Sequence, residues 1–148
     1  MNQMKTIDVQ LTEHFKLSEF CTTSKDFDNF LMPFGYFDNI KELAFLLQRV
    51  RDIKRIPIRI SSGFRPERLN TMVDGVKGSF HLVGAAADIY FDNHDDYETV
   101  WKYLEFLFNY SSIYDIAELL GCPKSNWLHV SINNVYRDYK HIIKPNYY

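Results

Sequence analysis

Between Ser79 and Asp88 the chain reads Ser-Phe-His-Leu-Val-Gly-Ala-Ala-Ala-Asp, so His81 and Asp88 flank a glycine and three alanines. That is an odd way to build a core, because two metal-binding side chains stand around the smallest residues available. An imidazole nitrogen and a carboxylate oxygen both suit Zn²⁺, and a catalytic zinc takes three protein ligands and leaves one position to water. A third ligand is therefore expected. His129, in the apolar stretch Trp127-Leu128-His129-Val130-Ser131, supplies it. Taken singly, each histidine reads more readily as an ordinary polar residue of core or surface; the combination points to one zinc ion held by His81, Asp88 and His129.

Two strands would bring these groups together. Side chains alternate in direction along a strand, so Asp88 in Asp88-Ile89-Tyr90-Phe91 and His129 in its own strand share a face if the strands are neighbours. His81 then enters from the preceding loop. Gly84 permits dihedrals or a close approach that a side chain would block, and Ala85, Ala86 and Ala87 leave room beside the metal.

Ser79-x-His81-x-x-Gly84-x-Ala86-x-Asp88 followed by Trp127-x-His129 resembles the zinc D-alanyl-D-alanine carboxypeptidase family of the hedgehog/DD-peptidase fold, in particular its short phage and bacterial members. The likeness extends to Pro57-Ile58-Arg59-Ile60-Ser61-Ser62-Gly63-Phe64-Arg65, to Leu69-Asn70 with Gly75-Val76, and to Leu17-Ser18-Glu19-Phe20, and so spans about residues 15–137. It implies an α+β fold, with a mainly antiparallel central sheet packed by helices, in a single domain covering 1–148. It further implies a zinc peptidase acting on peptidoglycan stems or precursors, of the D-alanyl-D-alanine carboxypeptidase type. Cleavage between L-alanine and D-glutamate, as in an endolysin, is the alternative within the enzyme class. A zinc-holding module that binds wall without cleaving it is an alternative of another class, and a structural zinc is a third; the three-ligand set speaks against the last, since structural sites usually close with four protein ligands.

The family's arginine that binds substrate carboxylate falls on Arg65, at a strand-to-helix junction just before Pro66, where a guanidinium can be held rigidly and offer paired donors. On chemistry alone Arg65 serves equally well in a surface salt bridge, for instance with Glu67. Ser79 either donates a hydrogen bond to substrate or stabilises its loop. Peptide hydrolysis at zinc also needs a carboxylate to take the proton of the attacking water and return it to the leaving amine. Asn126, where some members carry this acid, cannot act as a base. Tyr114-Asp115-Ile116-Ala117-Glu118 resembles the Phe-Asp-Gln-Leu-Ile-x-Glu strand of the short members imperfectly: aligning the aspartates puts the glutamate on Leu120, and aligning the glutamates puts it on Glu118. Glu118 is the choice. Asp115 and Glu118 are an odd number apart and face opposite sides of a regular strand, unless a bulge intervenes.

The remaining elements follow from periodicity. Asn39 with Glu42 reads as a capping box for the main core helix, carrying Ile40, Leu43, Leu46, Leu47, Val50 and Ile53 inward. Residues Asp26 to Phe37 before it read as an irregular packed loop. Ile58 to Ser61 alternates as a strand, Glu67 to Val73 as a short helix, and Asp95 with Glu98 as the capping box of a second amphipathic helix ending near Tyr110. His14, His94 and His141 are set aside as surface or turn residues.

Composition bounds the rest. A chain of 148 residues, 46% hydrophobic and 16% aromatic, suits one folded domain. A formal net charge of −2 shows no broad basic surface for nucleic acid. No stretch has the apolar length of a membrane helix, and the first residues lack the apolar centre of a signal peptide, so the expectation is a soluble monomer made in the cytoplasm, either a lysin that reaches the wall after lysis or an enzyme that trims precursors in the cytoplasm. Cys21 and Cys122 lie far apart and are expected as free thiols without a role.

Overall fold

The main core helix begins five residues before its expected cap. In the computed structural model, which describes residues 8–21, 34–133 and 141–143, helix α1 runs Phe34–Lys54. Asn39 lies inside it, and its Nδ2 donates 2.8 Å to the Val83 carbonyl. The reason is tertiary: Tyr36 and Phe37 pack against the core, Tyr36 lying 6.0 Å from the Phe64 ring, and this burial carries the helix through residues whose local pattern suggests a loop. The loop assigned to Asp26–Phe37 is thus corrected at 34–37, and its remainder lies outside the described residues. Ile40, Leu43, Leu46, Leu47 and Val50 are buried as expected, whereas Ile53, in the last turn, is exposed.

The sheet has five strands: β1 (Arg59–Ser62), β2 (Ala86–Tyr90), β3 (Ile116–Cys122), β4 (Trp127–Ile132) and β5 (His141–Ile143), in the order β1-β2-β4-β3-β5. All neighbours are antiparallel except β3 and β5. Between β1 and β2 come the short helix α2 (Glu67–Met72), close to its expected span, and a 3-10 turn at Phe80–Val83. Helix α3 (His94–Tyr110) packs on β3 and turns Tyr97, Val100, Trp101, Leu104 and Leu107 inward. Its cap is Asn93, whose side chain accepts 2.8 Å from the Asp96 amide. Asp95, the expected cap, falls instead in the first turn with Asp96, where carboxylates complement the helix dipole.

One hydrophobic cluster joins α1, α3, the sheet and the 3-10 turn Leu17–Cys21. The α+β architecture, a mainly antiparallel sheet packed by helices, is the one the resemblance implied. Neither Cys21 nor Cys122 is in a disulfide. No helix among the described residues is long and apolar enough to cross a membrane. Near the end of the chain β5 pairs in parallel with β3 from Glu118 to Leu120.

Candidate metal centre

Strands β2 and β4 pair with Asp88 directly opposite His129. Opposed residues of an antiparallel pair point to the same face, so the register alone brings carboxylate and imidazole together. His81 arrives in the 3-10 turn Phe80–Val83, not in an irregular loop. The Ser79 hydroxyl caps that turn by accepting from the His81 amide at 3.1 Å. Gly84 closes it at φ 73°, a left-handed conformation that glycine adopts without a Cβ penalty.

The hydrogen bonds fix the orientation of both rings. His81 is 1% exposed, and its Nδ1 lies 2.6 Å from the Gly63 carbonyl, which can only accept; Nε2 is thereby turned to Asp88 Oδ1 at 3.2 Å. His129 Nδ1 lies 2.8 Å from the same oxygen, and its Nε2 lies 3.1 Å from Glu118 Oε1. One ligand atom from each of His81, Asp88 and His129 lies within 4.8 Å of the other two.

Electrostatics favour a cation at this point. Burial pushes His129 down, but hydrogen bonds and charge from Asp88 and Glu118 outweigh it and raise the group to about 9. Burial pushes His81 down, against the pull of Asp88. Asp88 is penalised by burial and still held well below the usual carboxylate range by the two imidazoles. The carboxylates thus hold a proton on His129 where a divalent ion would supply the positive charge, and His₂Asp is a donor set that suits zinc. No fourth described ligand closes the cluster.

A match to the peptidase M15 family spans residues 13–131. The chain belongs to that family. It is accordingly a zinc metallopeptidase, its His81, Asp88 and His129 able to hold one metal ion, on the hedgehog/DD-peptidase fold. No curated protein matches the chain.

Within this M15 framework the two candidate acids separate. A register shift lies between Ile116 and Glu118, after which Glu118 pairs with Ser131 and Leu120 with His129. Glu118 therefore shares the face of His129, two residues along. Asp115 precedes the strand, accepts 2.9 Å from Asn133 Nδ2, and lines a separate cavity of about 680 Å³ with Glu42, Phe45 and Ile113. Asn126 sits in the β3–β4 turn, its Oδ1 3.2 Å from His94 Nδ1.

Arg65 is anchored beside the centre, its amide donating 2.9 Å to the His81 carbonyl. Burial lowers its pKa and the Asp88 charge opposes that shift. Its Nε is buried with no hydrogen-bond partner among the described residues, and no salt bridge to Glu67 forms there. A second group, Glu13, His14 and Asp52, also brings ligand atoms together, but all three residues are exposed, and Arg51 and Arg55 line the same depression.

Two contributors escaped the sequence reading. Ser131, whose hydroxyl donates 3.2 Å to Glu118 Oε1, is signalled only by its place two residues after His129. Gly63 is the other. A Cβ there would stand 2.1 Å from the Phe20 carbonyl oxygen and 2.7 Å from Phe20 Cα, so Gly63→Ala must push apart two backbones and displace the carbonyl that orients His81. We expect it to lower the denaturant midpoint by ~1–3 kcal/mol equivalent and to weaken zinc roughly 10–100-fold, read by urea titration and chelator competition.

Proposed function

We propose that this M15 peptidase hydrolyses peptide bonds of peptidoglycan stems or precursors, releasing terminal D-alanine. The reading is carried by one observation: His81 Nε2 and His129 Nδ1 converge on Asp88 Oδ1 beside the Glu118 carboxylate. His81, Asp88 and His129 would hold a zinc ion there, which would polarise the scissile carbonyl and acidify the attacking water. Glu118 takes a proton from that water as its oxygen adds to the carbonyl carbon, and returns the proton to the amine nitrogen as the C–N bond breaks. Arg65 presents its guanidinium, with the unpartnered buried Nε, to the substrate's carboxylate. The Ser79 hydroxyl accepts from the His81 amide and keeps its own proton to donate to substrate.

The unsatisfied Arg65 Nε supports a substrate that carries a carboxylate near the scissile bond, as a peptide ending in D-alanine does. The shared face of Glu118 and His129 favours catalysis over a wall-binding module. Digestion of stem peptides ending in D-alanyl-D-alanine, followed by mass analysis, is expected to show loss of one alanine, abolished by chelator and restored by zinc. Cleavage between L-alanine and D-glutamate instead would overturn the carboxypeptidase assignment, and intact peptide in the presence of bound zinc would overturn the enzymatic one.

A further inference from the structure

Ser131 has no place in the reaction just described, yet it is the fully buried polar residue of β4, lodged between Val130 and Ile132, and its hydroxyl reaches the site. A hydroxyl taken out of water costs free energy unless it is bonded. Here it donates to Glu118 Oε1, the residue opposite it in the β3–β4 register. The same oxygen lies 3.1 Å from His129 Nε2. Two donors on one carboxylate oxygen, both carried by β4 and spaced by two residues, fix the carboxylate's plane as well as its distance.

We propose that Ser131 is a positioning residue, holding Glu118 so that Oε1 steadies the His129 ring while Oε2 is left to carry the proton. The role rests on the reading of Glu118 as the proton carrier for its Oε2 part, and on geometry alone for its Oε1 part. A metal-binding histidine whose far nitrogen is bonded to a carboxylate keeps one tautomer and one orientation. Without Ser131, Glu118 loses one of its two anchors and swings about the other.

The test uses the full-length zinc-loaded protein with Ser131→Ala and Ser131→Thr, the first removing only an oxygen, the second restoring it. Three quantities are read: zinc affinity by competition with a chromophoric chelator, kcat and KM on the cleaved stem peptide, and the urea midpoint. For Ser131→Ala we expect zinc affinity to fall about tenfold and kcat to fall roughly 10–100-fold at unchanged KM, with the midpoint held or raised. Ser131→Thr should recover most of both losses. Unchanged zinc affinity and kcat in Ser131→Ala would overturn the proposal, and so would losses that track a fallen midpoint and are not recovered by threonine. If wild-type protein binds zinc and cleaves no stem peptide, the proposed function fails, while the zinc measurements still decide whether Ser131 steadies His129.

Discussion

Asp88→Ala is expected to abolish zinc binding and with it all peptidase activity. Asp88 Oδ1 is the point on which His81 Nε2 and His129 Nδ1 converge, at 3.2 and 2.8 Å. Partners outside a metal's ligand set are already worth roughly 10–100-fold in affinity, so loss of a ligand should exceed ~100-fold. The metal-free protein should suffer as well, by about 1–3 kcal/mol, because two buried imidazole nitrogens lose their acceptor. Asp88→Asn separates these effects, since the amide oxygen still accepts while the negative charge is gone: zinc should be lost and most of the metal-free stability kept. In the wild-type apoprotein the raised pKa of His129 adds stability that is complete below its ordinary 6.5 and disappears as pH rises through about 9. Asp88→Asn should flatten that alkaline limb. Chelator competition and urea midpoints across pH measure each part, and an Asp88→Ala protein that retained tight zinc would remove this carboxylate from the site.

The parts of this centre that were legible in the sequence are those governed by strand periodicity. Asp88 and His129 needed only two neighbouring strands, and the register places them opposite each other. Gly84 between His81 and Asp88 likewise announced backbone dihedrals that a side chain resists, and it lies at φ 73°, although the segment around His81 proved to be a 3-10 turn. What failed was reading a local signal whose residue is used elsewhere. Asn39 with Glu42 spells a capping box, yet Asn39 reaches across to Val83 and leaves α1 free to start earlier. Asp95 with Glu98 spells another, but Asn93, one position before the helix, takes the cap. The placing of Glu118 needed the β3–β4 register, Glu118 against Ser131 and Leu120 against His129, which spacing along one strand does not reveal. Strand β5 pairs over only three residues, too short a run for alternation to register.

Glu118→Gln should separate the two tasks that meet on one side chain. The amide oxygen can occupy the place of Oε1 and still accept from His129 Nε2 and the Ser131 hydroxyl, found at 3.1 and 3.2 Å. The ring therefore stays in place, and zinc affinity should remain within a few-fold of wild type. What disappears is the capacity to accept a proton from water, since an amide nitrogen replaces Oε2. A positioned general base contributes ~10²–10⁴-fold, and kcat should fall by that factor with KM little changed. Glu118→Ala removes both tasks and should lose zinc affinity as well, roughly 10–100-fold. The order matters more than either number: glutamine silent in binding and severe in turnover, alanine severe in both. A glutamine variant that turned over at the wild-type rate would assign the proton to another group, and would leave Glu118 only as the carboxylate that holds His129 toward the metal.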